Sequence, residues 1–257
     1  MKIAVAGKGG VGKTTLSANL ARDFAARGFD VYAVDADPDV SLGAALGLSR
    51  DTLTAVHPLV ELKDLVSERA GGNGSWLTLN PQVDDILEKY AVDVPLDGKG
   101  SIRLLRMGGV KQGGTACYCR ENSFLGAVMS SVLLGRNELV VMDMGAGIEH
   151  LTRGTARSVD AMVVVTEPTT VSMDTAQVIA KLAREIGIGR VFFVVNKVRN
   201  EKELARFRDR FADAEILGII PFNEDILESS EEAGRAVAGD PAVPPMVDHL
   251  LEVNSRV

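Results

Sequence analysis

The stretch Gly7-Lys8-Gly9-Gly10-Val11-Gly12-Lys13-Thr14 decides the fold. It satisfies the spacing G-x-x-x-x-G-K-[ST] and follows an apolar run at residues 2–6. It precedes a segment with helical apolar spacing at Leu16, Leu20 and Phe24. A strand, a glycine-rich turn and a helix in this order bind phosphate, because the glycines let successive backbone N–H groups point inward at the start of the helix. The sequence therefore predicts a nucleotide-binding loop at residues 7–14.

The positions within this loop predict how a nucleotide is held. Lys13 is expected to neutralise the β- and γ-phosphate oxygens, Thr14 to bind Mg²⁺ through its hydroxyl, and Thr15 to reach the α-phosphate. Backbone N–H groups supply the remaining phosphate contacts, and they belong to Gly9, Gly10, Val11 and Gly12. The alternative is an ordinary glycine-rich turn between a strand and a helix.

Length, composition and charge exclude several classes of protein. The chain has 257 residues, 46% of them hydrophobic, so it can bury a core without disulfides and is too apolar to be disordered. Its apolar runs stay well short of the roughly 18 consecutive residues of a transmembrane helix. The net charge of −7 argues against nucleic-acid binding, and the N-terminus shows no export signal. We expect a cytoplasmic protein without nucleic-acid or membrane partners.

Short apolar runs alternate with segments of helical spacing along the chain. Several runs are continuously apolar, which is typical of strands covered on both faces. Gly28 and Gly187 are the expected C-caps of two helices, the second of which carries Val178, Leu182 and Ile186. The pattern predicts an α/β fold, a single-domain P-loop NTPase over residues 1–257 with a doubly wound, mostly parallel sheet and helices on both faces. The expected strands are 2–6, 31–34, 76–79, 102–107, 139–144, 161–166, 191–196 and 216–220.

Carboxylates follow two of the expected strands. Asp35 and Asp37 come after residues 31–34, and Asp143 ends the run that begins at residue 139. A carboxylate at a strand end beside the first strand can hold Mg²⁺, directly or through water, or orient the attacking water. We expect Asp35 and Asp143 to serve Mg²⁺ in this way. The alternative for each aspartate is a helix cap or a turn.

These motifs resemble those of the MinD/ParA class of dimeric P-loop ATPases. In that class the extra lysine, here Lys8, reaches across a two-fold interface to the partner's nucleotide and helps to neutralise charge in the transition state. Residues 35–38 are similar to its switch I, and residues 143–149 to its switch II. The resemblance implies a homodimer that uses ATP and Mg²⁺. It further implies the catalytic residues Lys8, Lys13 and Asp37, and a base site formed by Asn196, Pro221 and Phe222.

Two segments narrow the resemblance to the CooC-type ATPases, which serve nickel insertion into carbon monoxide dehydrogenase. One segment is residues 113–126, which contains Cys117 and Cys119, and the other is residues 142–154. The resemblance implies nickel as the cargo and carbon monoxide dehydrogenase as the client. The acidic stretch at residues 244–252 differs from the basic membrane-binding helix of MinD itself, which weakens a membrane role.

Cys117 and Cys119, separated by one residue, are the candidate thiolate ligands. Two sulfur ligands rarely make a tight metal site, whereas a two-fold dimer would supply four. Such a set suits Zn²⁺ when tetrahedral and Ni²⁺ when square-planar, and the spacing does not choose between them. A buried structural pair, an intrachain disulfide and a redox pair are the alternatives.

Three functions compete. The first is an ATP-dependent metallochaperone that dimerises and carries nickel, or another thiophilic divalent metal, in a shared Cys-x-Cys site. The second is an iron–sulfur carrier or ATP-driven reductase, and the third is a MinD/ParA-type positioning switch. Acetyl-CoA synthase is an alternative client, and His150 is either a metal or signalling residue or a structural one. The acidic charge and the cysteine pair favour the metallochaperone.

Overall fold

The computed structural model of the protein describes residues 1–37, 41–70, 83, 85–108, 124, 126–129, 135, 137–146, 159–231 and 236–255. Within these ranges the strands are β1 (Lys2–Gly7), β2 (Asp30–Ala36), β3 (Val92–Asp93), β4 (Ser101–Arg106), β5 (Glu138–Ala146), β6 (Ala161–Thr166), β7 (Val191–Val198) and β8 (Ile216–Pro221). The helices are α1 (Lys13–Ala26), α2 (Leu42–Ala45), α3 (Arg50–Ala55), α4 (Lys63–Ala70), α5 (Ile86–Tyr90), α6 (Thr170–Glu185), α7 (Glu201–Arg208), α8 (Glu224–Glu231) and α9 (Val243–Ser255).

The eight strands form one sheet in the order β3-β4-β2-β5-β1-β6-β7-β8. Every neighbouring pair is parallel except β3 and β4. Parallel neighbours require crossovers over the faces of the sheet, and here helices pack on both faces. The predicted α/β fold class is therefore confirmed, with β1 and its phosphate loop at the centre.

The predicted strands match the observed ones within a few residues, except for residues 76–79, which lie outside the described residues. The short antiparallel strand β3 is a difference from the prediction. It pairs over only two positions, Val92 with Leu104 and Asp93 with Arg103, so it carries too little periodicity to be recognised. It covers one edge of an otherwise parallel sheet.

The side chains of β1 alternate between two hydrophobic cores. Ile3 and Val5 face the core covered by α1 and α9, whereas Ala4 and Ala6 face the core covered by α6. All residues of β1 are buried. Burial on both faces explains the continuous hydrophobicity of its sequence and fixes the end of β1, where the phosphate loop begins.

Helices α1 and α6 both end as predicted, because Gly28 and Gly187 follow them with φ of 97° and 106°. The buried face of α6 differs from the expected one. Val178 and Leu182 are 56% and 42% exposed, and the helix instead turns Met173 and Ile179 toward the core together with three alanines. These are Ala176, Ala180 and Ala183.

The register of β2 and β5 brings two carboxylates together. Asp35 lies opposite Asp143, and both residues are fully buried. The two strands run further than the sequence predicts, to Ala36 and Ala146, so Asp35 lies within its strand rather than after it and Asp143 lies further from the end of its strand. No helix among the described residues has the length and hydropathy to cross a lipid bilayer.

We expect Gly7→Ala to destabilise the protein by about 2 kcal/mol or more. Gly7 has φ of 152°, and an added Cβ would lie 2.4 Å from the backbone oxygen of Val165, which cannot move without disturbing β6. Gly9→Ala is the matched control, because a Cβ there meets nothing within 4 Å. Urea unfolding in EDTA without nucleotide measures the free energy of unfolding of both variants. Equal losses of stability in the two variants would contradict the expectation.

Candidate functional site

The loop between β1 and α1 is built around two left-handed glycines. Gly10 and Gly12 have φ of 80° and 97°, and the Gly12 carbonyl accepts the first hydrogen bond of α1 from the Leu16 N–H, at 3.0 Å. The Lys13 side chain is largely buried, and its Nζ donates to the Lys8 carbonyl at 3.2 Å. The Lys8 side chain is exposed. Lys13 is therefore held across the loop, whereas Lys8 is directed away from its interior.

Strand β7 holds the phosphate loop in place. The Asn196 Nδ2 donates to the Val11 carbonyl at 2.8 Å, and the Lys197 Nζ donates to the Gly10 carbonyl at 2.7 Å. Lys197 has φ of 62°, which is rare outside glycine, and its Nζ also pairs with Glu167 at 2.7 Å. The role of Asn196 toward adenine stays a prediction. The support given by Lys197 and Glu167 is absent from the sequence expectations, because only the contact reveals it.

A hydroxyl and a carboxylate meet beside the loop. The Thr14 Oγ1 donates to the Asp143 Oδ2 at 2.6 Å, and the Ser17 Oγ donates to the other carboxylate oxygen at 3.2 Å. The Asp35 oxygens accept from the backbone N–H groups of Asp37 at 3.3 Å and Leu42 at 3.0 Å. Asp37 itself is half-buried. The predicted residues Thr14, Asp35 and Asp143 therefore gather at one edge of the sheet.

The two buried carboxyls have perturbed acidities. Burial, with a contribution from the charge of Asp143, raises the pKa of Asp35 to about 7. Burial also raises the pKa of Asp143 to about 6, against the opposing effect of hydrogen bonds from Thr14 and Ser17. Both shifts show that negative charge is disfavoured here without a cation. Hydroxyl and carboxylate oxygens are the ligands that Mg²⁺ prefers, so this donor set fits the ion.

A cavity beside the loop collects most of the residues predicted to bind the nucleotide. Its lining includes Gly10, Gly12, Thr15, Asn196, Pro221 and Phe222. The guanidinium carbon of Arg199 lies 4.5 Å from the centre of the Phe222 ring, an arrangement that fixes the ring at the cavity wall. Asn19 and Asp240 also line the cavity and were not predicted. The Asp240 N–H donates to the Asn19 Oδ1 at 3.2 Å, which joins α1 to the segment before α9.

The predicted metal ligands Cys117 and Cys119 lie outside the described residues, as does His150. The described part of the site comprises the phosphate loop, the cavity beside it and the oxygen donors whose chemistry fits Mg²⁺. The thiolate arrangement expected from the sequence stays a prediction.

Comparison with known proteins agrees with this geometry. Residues 2–235 match the CobQ/CobB/MinD/ParA nucleotide binding domain. The chain belongs to this family. As a CobQ/CobB/MinD/ParA family member it is 40% identical to the carbon monoxide dehydrogenase accessory protein CooC of Rhodospirillum rubrum, over 91% of this chain and 88% of that protein. The predicted CooC-type resemblance is thereby confirmed.

This CobQ/CobB/MinD/ParA family member is also similar to a second protein in sequence and to a solved structure in fold. An uncharacterized ATP-binding protein of Methanocaldococcus jannaschii is 39% identical over 98% of this chain and 96% of its own length. The septum site-determining protein MinD of Pyrococcus horikoshii OT3, complexed with Mg-ADP, superposes with a TM-score of 0.69 over 99% of this chain and 97% of that chain. At 19% identity the MinD structure shows the fold alone. The prediction of an ATPase of this class is confirmed.

The raised pKa of Asp35 predicts a pH dependence of stability. Its folded-state pKa of about 7 exceeds the ordinary value of 3.8, so the folded state keeps a proton that the unfolded chain has lost. This group therefore lowers the free energy of unfolding as the pH rises from about 4 to about 7, by on the order of a few kcal/mol. Urea unfolding between pH 4.5 and 8 in EDTA measures the effect.

Asp35→Asn should make this decline shallower, because the amide carries no charge to bury, while Asp143 with its raised pKa of about 6 accounts for the part that remains. The exposed Asp97→Asn serves as the control and should leave the decline in place. If Asp35→Asn and the unmodified protein lost stability in parallel over this range, the assigned acidity of Asp35 would be wrong.

Proposed function

We propose that this chain is an ATP-dependent, dimerising metallochaperone ATPase that acts in the cytoplasm and assists nickel insertion into carbon monoxide dehydrogenase. In this proposal residues 1–257 form one nucleotide-binding domain, and two copies share a nickel or zinc ion through Cys117 and Cys119. The observation that carries the proposal is the 40% identity to CooC over 91% of the chain. The acidic net charge of −7 agrees with a protein client better than with nucleic acid.

The nucleotide part of the proposal follows from the site. The backbone N–H groups of residues 9–12 and the Lys13 ammonium hold the phosphates, while Thr14 and Asp143 hold the Mg²⁺ that neutralises the β- and γ-oxygens. Asp37 orients the attacking water at the end of β2. The base occupies the cavity against Pro221 and Phe222. These assignments are supported by the convergence of the residues at one edge of the sheet.

The dimer part of the proposal uses Lys8. The Lys8 side chain is exposed while its carbonyl accepts from Lys13, so the backbone serves its own loop and the side chain is available to a neighbour. Across a two-fold interface, a lysine in this position adds positive charge to the partner's phosphates during hydrolysis. Nucleotide binding and dimer formation are thereby coupled, and by linkage each strengthens the other.

The metal part of the proposal uses the same two-fold axis. Two thiolates from each protomer would give four sulfur ligands, which suit a thiophilic divalent ion. A shared ion makes metal affinity depend on the dimer and hence on the nucleotide state. The thiolate site would then bind its ion when ATP closes the dimer, and ATP hydrolysis through Asp37 would reopen the dimer.

We expect Cys117→Ser and Cys119→Ser each to abolish stoichiometric binding of nickel or zinc, while the binding of ATP is retained. Elemental analysis of the unmodified protein with ATP should give about one ion per two chains, with a dimer mass by light scattering. Unchanged metal content in either variant would refute the shared thiolate site. A visible absorption band after anaerobic purification would instead indicate an iron–sulfur cluster and favour a carrier or reductase.

We expect Lys8→Ala to bind ATP normally but to remain monomeric, with hydrolysis slowed on the order of a thousandfold. Fluorescent-nucleotide titration, light scattering and phosphate release measure the three properties. Lys202→Ala, which removes another exposed lysine at the start of α7, is the control and should behave as the unmodified protein. A Lys8→Ala protein that dimerises and hydrolyses ATP at the normal rate would contradict the assigned role.

A further inference from the structure

Ser41 occupies the cap position of α2 but does not cap it. A serine before a helix usually accepts a hydrogen bond from an N–H of the first turn. Within α2, whose residues are all described, no such bond to Ser41 forms. Its Oγ instead forms a hydrogen bond of 3.2 Å with the Thr14 Oγ1, and the Leu42 N–H that starts the helix donates to Asp35 at 3.0 Å. The hydroxyl therefore lies beside Thr14, the predicted Mg²⁺ ligand.

Thr14 has two oxygen neighbours within hydrogen-bond distance, and their separations differ. Mg²⁺ binds oxygens in a regular octahedron at about 2.1 Å, so two adjacent ligands lie about 3.0 Å apart. The separation of 3.2 Å between the Thr14 and Ser41 hydroxyl oxygens is close to this edge. The separation of 2.6 Å between Thr14 and Asp143 is shorter and is that of a hydrogen bond to a carboxylate. Thr14 can therefore keep its hydrogen bond to Asp143 and offer an oxygen lone pair to the ion.

We propose that the Ser41 hydroxyl is a second protein ligand of the nucleotide-bound Mg²⁺, adjacent to Thr14. Asp143 would then accept the hydrogen bond of the Thr14 hydroxyl and would contact the ion through water. This inference rests on the Mg-ATP site proposed above and adds a residue to it.

The structure positions Ser41 from both sides. Its carbonyl accepts from the Ala45 N–H at 3.1 Å, which fixes it to α2. Helix α2 is in turn tied to α1, because the Arg22 Nη2 donates to the Ala45 carbonyl at 2.8 Å. Leu42 is fully buried. The segment that carries the hydroxyl is thus attached to the same helix that carries Thr14.

Another serine, at the start of the next helix, serves as the control residue. Ser49 precedes α3 and does accept a capping bond, from the Thr52 N–H at 3.2 Å. Ser49→Ala should therefore lose some helix stability without affecting the ion. Ser41→Ala should do the opposite, and Ser41→Thr should restore the ligand.

The test measures Mn²⁺ as a paramagnetic substitute for Mg²⁺, bound with the non-hydrolysable analogue AMP-PNP. Ser41→Ala should weaken Mn²⁺ at least about tenfold by electron paramagnetic resonance titration, while AMP-PNP affinity in EDTA stays unchanged. Ser49→Ala and Ser41→Thr should keep the original Mn²⁺ affinity. Thr14→Ala should weaken Mn²⁺ as well, because it removes the neighbouring ligand.

The unmodified protein offers a second measurement that needs no variant. With Thr14, Ser41 and two phosphate oxygens as ligands, the octahedral ion keeps about two waters, whereas without Ser41 it keeps about three. The broadening of the Mn²⁺ paramagnetic resonance lines by ¹⁷O-labelled water measures the number of waters bound to the ion. About three waters, or full Mn²⁺ affinity in Ser41→Ala together with loss in Thr14→Ala, would overturn the inference and leave the proposed ATPase intact. Full affinity in both variants would overturn the Mg²⁺ site itself.

Discussion

The placement of Asp35 opposite Asp143 in the parallel register of β2 and β5 is the constraint on which the site depends. Two carboxyls that are both cut off from water cannot both ionise at little cost, so the site favours a cation next to them. Thr14 reaches Asp143 from α1, and Asp37 follows Asp35 by two residues. The polar edge of the sheet is therefore organised around a charge that the ligand must supply.

The phosphate loop is supported from both directions along the sheet. On one side α1 continues directly from Gly12, and on the other Asn196 and Lys197 hold loop carbonyls from the end of β7. Bonds to carbonyls leave the N–H groups of the loop for an anion. The left-handed conformation of Lys197 is maintained because its side chain is bonded at two places. The conformation of the loop is thus supported by contacts within the protein itself.

The sequence was informative wherever a pattern is local. The spacing of residues 7–14 and the continuous apolar runs were enough to predict the fold class, β1 and the gathering of Thr14, Asp35 and Asp143. The sequence was less informative where tertiary packing determines which face of a helix is buried. Val178 and Leu182 satisfy helical spacing, yet the face with small residues packs on the sheet. Lys197, Glu167 and Ser41 carry no motif, because their roles arise from contacts between segments that are distant in the chain.

The carbonyl of Ala45 connects the segment beside Thr14 with the segment beside the cavity. It accepts from Arg22 and from the Val237 N–H at 3.0 Å, and Arg22 also donates to the Val237 carbonyl at 2.6 Å. Val237 precedes Asp240 at the base cavity, whereas Ala45 ends the short helix that follows Ser41. The segment beside the cavity and the segment that carries Ser41 are therefore joined through one peptide carbonyl and one guanidinium, so the two are held as a single unit on α1.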